Sequence, residues 1–498
     1  MATVAPELRK NLVGGNWVEA RSRETMPSTN PATGEVLGVV PKSGPEDVAA
    51  AVEAARGAYE SWRRFPAPRR AEILYRAAEM LVAKKEDLAR LMTQEMGKVL
   101  PEARGDVQEA IDMTYFVAGE GRRLHGYTSP SEMPHKAAYC LRVPLGVVGV
   151  ITPWNFPMAI PSWKIIPALV CGNTVVFKPA TYTPLVALAF AEVLHDAGLP
   201  PGVLNVVTGS GGTVGDTLVD HPGVALVSFT GSTATGRAIA EKCARTGKRV
   251  SLEMGGKNAA IVMDDADLDL VTDALIWSAF GTSGQRCTAC SRVITHRAIR
   301  DDVTARLVDR TKRLRLGDGL EPTTDVGPVV SGAQLETIDG YTRVGKAEGA
   351  RVLVGGGPAR DGSLARGSFY TPTIFDNVTP QMRIAREEIF GPVTDIIEAR
   401  DLDDAVRILN DVDYGLSASV FTADVNTAMR AIDDIFTGIV YINHGTIGAE
   451  VHLPFGGTKN TGNGHREGGL QALDVFSEWK AVYIDYSGRL QRAQIDKD

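Results

Sequence analysis

Five cysteines are scattered along the 498 residues, at positions 140, 171, 243, 287 and 290, and one of them stands in a window suited to chemistry. In Gly284-Gln285-Arg286-Cys287 a glycine lets the backbone approach a ligand, and the neighbouring arginine would depress the thiol pKa if it points inward. A buried structural thiol is the competing reading of that window. The spacing from Cys287 to Cys290 also suits a redox pair or half of a zinc site. Zinc needs two further ligands at comparable spacing and His296 is the only nearby candidate, so no metal is expected. Two glycine-rich turns offer a different chemistry. Gly209-Ser-Gly-Gly-Thr-Val-Gly215 follows an apolar run and opens a helix, the setting in which free backbone N–H groups receive a phosphate. It departs from the dinucleotide fingerprint, because Val214 stands where the third glycine belongs. Phe229-Thr-Gly-Ser-Thr-Ala-Thr-Gly236 repeats the arrangement, so Gly231 and Ser232 present a second anion site, and two such turns favour a nucleotide.

The elements that must carry these turns follow from periodicity. Apolar β-branched runs at 145–152, 173–178, 203–207 and 225–229 read as strands; the helical period marks 163–170, 184–197, 213–219 and 234–246. Short strands alternating with helices imply right-handed crossovers and a parallel sheet covered on both faces. A second series, from 258 to 443, has strands at 292–295, 351–354 and 393–397 and helices at 301–313 and 402–410. The expected fold is therefore α/β: two doubly wound parallel-sheet domains with the cleft between them. Segments 126–142 and 479–485 fit neither sheet, and read as a small β arm for self-association. The division expected is a nucleotide-binding domain of 1–122 and 145–254, a catalytic domain of 255–450, and arm and tail segments at 123–144 and 470–498, mobile after Ser487.

Composition narrows the partners. Lys plus Arg number 53 against 60 Asp plus Glu, a net charge of −7, which is the wrong sign for a general nucleic-acid or anionic-membrane binder. No apolar run approaches a membrane span, and the first seven residues lack the charged and apolar regions of a signal peptide. Sparse cysteines in odd number do not make a disulfide framework. A cytoplasmic setting is expected.

Seven ordered motifs then make a resemblance plain. Pro153-Trp-Asn-Phe-Pro157, Lys178-Pro-Ala180, Phe229-Thr-Gly-Ser232, Leu252-Glu-Met-Gly-Gly-Lys257, Gly284-Gln-Arg-Cys287, Glu387-Glu-Ile-Phe-Gly-Pro392 and Pro454-Phe-Gly-Gly457 are similar to those of the NAD(P)-dependent aldehyde dehydrogenase superfamily, and Asn30-Pro-Ala-Thr-Gly-Glu35 agrees. The resemblance implies oxidation of an aldehyde to the acid through a thioester on Cys287. It implies an oxyanion site made by the Asn155 amide and the Cys287 backbone N–H. It makes Glu253 the base for the hydrolytic water. Relatives that pass the acyl group to coenzyme A commonly lack this carboxylate, so hydrolysis is favoured. Lys164 and Glu467 match a proton relay, for which a plain salt bridge is the alternative.

For the cofactor, NADP or NAD, the resemblance implies contacts from Ile151, Thr152, Pro153, Trp154, Lys178, Thr181, Gly211, Gly215, Phe229, Gly231, Ser232, Gly255, Glu388 and Phe390. Thr181 replaces the glutamate with which NAD-preferring relatives repel a 2′-phosphate, so NADP is expected to serve at least as well as NAD. Phe156, Trp163 and Phe455 match substrate-side positions. Trp163 stands where semialdehyde-acid enzymes tend to carry an arginine, and Glu450 lies in the loop expected to shape the entrance. These two favour an apolar or aromatic aldehyde; a semialdehyde-acid dehydrogenase, with Arg122, Arg123 or Arg286 as the cation, and a cofactor-independent thiol esterase are the alternatives. A homodimer or homotetramer is expected. Cys290 is expected to form a reversible disulfide with Cys287 under oxidation, or else to be a packing residue.

Overall fold

The fold is taken from a computed structural model that describes residues 7–496; the reading of the first six residues as no signal peptide lies outside them. Two seven-stranded sheets dominate the described residues. In the first, Arg249–Glu253, Val224–Thr230, Val147–Ile151, Thr174–Lys178 and Leu204–Val206 lie side by side and parallel. Val147–Ile151, Thr174–Lys178 and Leu204–Val206, rich in β-branched and apolar residues, are buried on both faces, as strands sandwiched between helices must be. The register aligns their ends, Ile151 opposite Lys178 and Phe229, and Thr230 opposite Glu253. Four loops therefore leave the same edge of the sheet, at the carboxyl ends where α/β folds hold ligands.

In the second sheet Thr373–Asp376, Val393–Ala399, Arg292–His296, Ala259–Val262, Ser417–Phe421 and Ile439–Ile442 are parallel. Asn258, Cys287, Glu388 and Leu416 all stand just before strands of this sheet, so its amino-terminal edge faces the carboxyl edge of the first.

Most expected elements form within a residue or two, among them helices Pro184–Asp196, Thr233–Thr246, Arg300–Lys312 and Leu402–Asn410. Four details differ from the sequence reading. The helix expected at 213–219 is a π turn, Gly211–Gly215, followed by the short helix Asp216–Asp220, because Ser210 caps the turn through the Thr213 N–H and the glycines leave the backbone loose. Neither sheet is purely parallel: Asn11–Val13 and Asn16–Val18 add an antiparallel edge to the first, and Arg351–Val354 pairs antiparallel with Thr373–Asp376 in the second. Helices Pro45–Arg64, Ala67–Met96 and Leu100–Glu120, for which no element was read, cover the first sheet and share its core. The segment after Ser487 is tied down through residue 496: Gln491 is buried and donates to the Pro134 carbonyl at 2.8 Å and to Asp485 at 3.2 Å.

The arm forms as a three-stranded antiparallel sheet, Ser477–Asp485 against Lys136–Pro144 against Tyr127–Pro130, with Arg142 over the Trp479 ring at 4.2 Å. No helix among the described residues is long and apolar enough to cross a membrane.

Candidate active site

Cys287 is delivered by a loop whose shape is fixed by close contacts. Gly284 has φ +67°, and a Cβ there would lie 2.1 Å from the Gly391 carbonyl oxygen, so only glycine fits. Gln285 is fully buried and locks the loop, donating to the Thr282 carbonyl at 3.2 Å and accepting the Val330 N–H at 3.0 Å. The residue that holds Cys287 itself escaped the sequence reading. Asn258 donates through Nδ2 to the carbonyls of Cys287 at 2.7 Å and Ala289 at 3.0 Å, while its Oδ1 accepts the Ser417 N–H at 3.0 Å. Its only signal is a polar residue directly after the Gly-Gly-Lys turn and before an apolar strand.

Asn155, also buried, gives one amide hydrogen to the Gln285 carbonyl at 3.0 Å and keeps a second for another acceptor. Glu253 ends the first-sheet edge strand. It is buried, and neither carboxylate oxygen has a hydrogen-bond partner within the protein. Burial, then the Glu467 charge, push its carboxyl well above the ordinary range, with Lys164 opposing. Lys164 is ion-paired to Glu467 and donates to Ser228 Oγ at 3.2 Å, so the salt bridge exists and lies in electrostatic reach of Glu253. The segment bearing Glu467 is stitched to the strand end by the Met254 N–H to Thr461 carbonyl bond at 2.6 Å.

The Cys287 thiol is pushed up to about 12, by burial first and then by Glu388, Glu253 and Glu109. Arg286 does not depress it. Its guanidinium bonds Glu102 at 3.0 Å and Thr282 Oγ1 at 3.0 Å and lies over the Phe156 ring at 5.4 Å. Cys290 packs in the core of the second sheet with its thiol directed to the Arg292 carbonyl, and all five cysteines are free.

In front of Cys287 a cavity of about 120 Å³ is lined by Glu109, Phe156, Trp163, Glu253, Arg286 and Phe455 among others. Trp163 and Phe455 meet edge to face at 5.3 Å. Glu450 does not line it; that side chain is exposed and pairs with His452 at 3.4 Å. Arg123 pairs with Glu120 at 2.6 Å, outside this lining.

The residues assigned to the cofactor lie at the carboxyl edge of the first sheet and on the loops that face it. A Cβ on Gly215 would meet Lys178 Cδ at 3.9 Å and Ile151 Cδ1 at 4.0 Å, whereas Gly211 and Gly212 have nothing within 4 Å. Thr181, three residues past Lys178, is exposed and donates to the Gly209 carbonyl at 3.4 Å. The Lys178 ammonium is buried, donates to the Pro179 carbonyl at 2.8 Å, and is lowered to about 8 by burial. Ser232 caps the helix Thr233–Thr246, and a Cβ on Gly231 would strike the Phe229 ring at 2.5 Å. Nearer Cys287, Gly255 leaves room for Glu388, whose Oε2 would lie 2.3 Å from a Cβ there. Glu388 accepts the Gly256 N–H at 2.9 Å and is raised to about 7 by burial. Trp154 and Phe390 stand edge to face at 5.4 Å, next to Pro153 and Thr152. A lysine, a carboxylate, closely packed glycines and an aromatic pair on these loops fit a dinucleotide.

The aldehyde dehydrogenase family model matches residues 17–482. This chain belongs to that family. It is 44% identical over 479 residues to an α-ketoglutarate semialdehyde dehydrogenase of Haloferax volcanii, covering 96% of this chain and 99% of the relative. Among solved structures, a betaine aldehyde dehydrogenase of Staphylococcus aureus in complex with NAD+ superposes with TM-score 0.95 at 35% identity, over 97% of this chain and 95% of that one. An NADP-dependent enzyme of E. coli superposes at 0.93 with 38% identity, over 96% and 98%. The chain is thus an oxidoreductase that acts on aldehydes with a nicotinamide dinucleotide. The Haloferax relative is named for an aldehyde that bears a carboxylate, the class that the sequence reading gave as the alternative to an apolar or aromatic one.

Proposed function

We propose that this enzyme oxidises a short semialdehyde bearing a distal carboxylate to the dicarboxylate, with NADP or NAD as acceptor. The observation that carries the substrate class is Arg286. It lines the cavity one residue from the nucleophile, and its side chain is 12% exposed. Its bonds to Glu102 and Thr282 leave further guanidinium N–H groups free. The arginine absent beside Lys164 is thus replaced by one on the opposite loop.

The chain's own residues perform the chemistry in order. Cys287 surrenders its thiol proton to Glu253, a buried carboxylate in electrostatic reach of the sulfur, and the sulfur attacks the carbonyl carbon. The oxyanion is taken by the free Asn155 amide hydrogen and the Cys287 N–H; one such donor is worth about 3 kcal/mol in the transition state. Bound by Lys178, Ser232 and Glu388, the dinucleotide would supply the hydride acceptor. Loss of hydride from the adduct leaves an acyl group on Cys287. Glu253, once it has passed the thiol proton outward through Glu467 and Lys164, takes a proton from water; the resulting hydroxide adds to the acyl carbon, and the carboxylic acid leaves as the sulfur departs. Glu467 and Lys164 give that proton a path outward.

Thr181, with no carboxylate beside Lys178, supports use of NADP. The exposed edges of the arm sheet, where Tyr127, Trp479 and Tyr483 stand open, support self-association as a dimer or tetramer. Five unpaired cysteines support a cytoplasmic setting.

The test compares glutaric semialdehyde with pentanal, which share chain length and differ by one carboxylate. The expected result is kcat/KM at least about tenfold higher for the acid, roughly 1.4 kcal/mol, with one NAD(P)H formed per acid. Preference for pentanal refutes the substrate class; release of product without NAD(P)H refutes the reaction.

A further inference from the structure

The cavity in front of Cys287 holds polar groups that oxidation of an aldehyde does not use. Glu109, on the helix Leu100–Glu120, lines it beside Arg286, Phe156 and Trp163. The two acids before it on the same helix are already committed. Asp106 accepts the Lys98 ammonium at 2.8 Å and the Ala159 N–H at 2.8 Å. Glu102 accepts Arg286 at 3.0 Å and the Thr282 N–H at 2.8 Å. Two cations are thus balanced by two carboxylates, and Glu109 is the acid left over. Burial, then Asp106, raise its carboxyl to about 8, against Lys98, Arg286 and the Trp163 indole.

Tyr441 approaches from the strand Ile439–Ile442. Its hydroxyl is buried and has no hydrogen-bond partner within the protein. The ring is held by stacking on His444 at 5.2 Å, and His444 in turn meets Trp277 edge to face at 6.3 Å. Burial, then Cys287 and Glu109, raise its phenol to about 12, with Glu450 adding to the same effect. Tyr441 is not among the residues that line the cavity; the His444–Trp277 pair connects it to Arg286, which lies over the Trp277 ring at 5.8 Å, and its hydroxyl is in electrostatic reach of both the nucleophile and the spare acid. A buried O–H without a partner is costly unless something arrives to accept from it.

We propose that Glu109 and Tyr441 act as hydrogen-bond donors which, with Arg286, receive the second polar group of the substrate, a carboxylate or the carbonyl next to it. The inference rests on the semialdehyde-acid reading above and names the residues that make the selection. A carboxylate offers about four acceptor sites; one guanidinium edge and two O–H groups match it without adding net charge of either sign. Specificity built on polar groups left unpaired by the wrong substrate is far steeper than specificity built on apolar fit.

The proposal fixes a pH dependence. One unit below the Glu109 pKa the carboxyl is about nine-tenths protonated, and one unit above it about one-tenth. Once ionised it faces the substrate carboxylate as a like charge. The ratio of kcat/KM for glutaric semialdehyde to that for pentanal is therefore expected to fall about five- to tenfold from pH 7 to pH 9. Glu109→Gln keeps an N–H donor and cannot ionise, so its ratio should stay flat over that range. Glu109→Leu and Tyr441→Phe should each lower the ratio several-fold at pH 7. Glutarate binding by calorimetry at pH 7 and 9 gives a readout free of turnover, and should weaken with pH in the wild type and not in Glu109→Gln. The same pH slope in Glu109→Gln as in wild type, or ratios unchanged in both Glu109→Leu and Tyr441→Phe, overturns the proposal while leaving the substrate class intact. A wild type that does not favour glutaric semialdehyde at pH 7 overturns both.

Discussion

Asn258→Asp changes one atom of the amide and separates positioning of the nucleophile from every other property of the site. The carboxyl keeps an acceptor for the Ser417 N–H but loses the NH2 group that holds the Cys287 carbonyl at 2.7 Å and the Ala289 carbonyl at 3.0 Å. Asn258 is only 3% exposed, so those carbonyls are not recovered by bulk water. Stranding two buried acceptors costs about 2–6 kcal/mol together, at about 1–3 each. Much of that range is survivable for a folded domain of ordinary stability. The catalytic effect is separate. Released from Asn258, the Cys287 peptide drifts relative to Asn155, and a misplacement of about 1 Å costs about a hundredfold in rate. The carboxylate also adds a negative charge beside a thiol already opposed by Glu388, Glu253 and Glu109. Steady-state kinetics should show kcat down about 30- to 100-fold with dinucleotide KM nearly unchanged, and the rate of iodoacetamide labelling of Cys287 should fall with it. A folded variant with kcat within about threefold of wild type refutes the claim that this amide sets the nucleophile.

Two further outcomes follow from charge placement. Glu467→Gln removes the largest charge raising Glu253 and leaves the Lys164 ammonium beside it, so the Glu253 pKa falls. A base whose pKa falls stays ionised to lower pH, and the acid limb of the kcat profile should move down by one unit or more, about 1.4 kcal/mol per unit; a shift upward, or none, rejects the coupling. Thr181→Glu places a carboxylate three residues past Lys178, and kcat/KM with NADP should drop at least about tenfold more than with NAD, while equal losses would show that position 181 does not meet the 2′-phosphate.

The legible part of this fold was the part written in local periodicity. Leu402–Asn410 and Pro184–Asp196 carry their apolar faces at helical spacing, and the buried parallel strands are continuous apolar runs. The antiparallel edge of the first sheet has no such trace, since Leu12 pairs with Val206 across most of a domain and nothing near either residue announces the other. The site divides the same way. Cys287, Asn155, Glu253 and the glycines of the cofactor loops lie in motifs short enough to read along the chain. Glu109, Asn258 and Tyr441 do not, because a glutamate on a long helix, an asparagine after a turn and a tyrosine in a strand are ordinary residues until the fold brings them to the surroundings of Cys287.

Arg286 shows why adjacency in sequence misleads about electrostatics. Next to Cys287 in the chain, it would lower the thiol pKa only by pointing at the sulfur; in space its guanidinium belongs to Glu102 and the cavity wall, and the charges that act most on the sulfur are carboxylates. Burial raises the carboxyls of Glu253, Glu388 and Glu109 and the thiol of Cys287 together. One physical cause therefore favours the neutral form of all four groups. A site in that state pays little desolvation to admit an anionic substrate, whereas a site holding a free thiolate among ionised carboxylates would repel it. The same neutrality that slows the bare thiol thus lets a carboxylate-bearing aldehyde approach Arg286 at all.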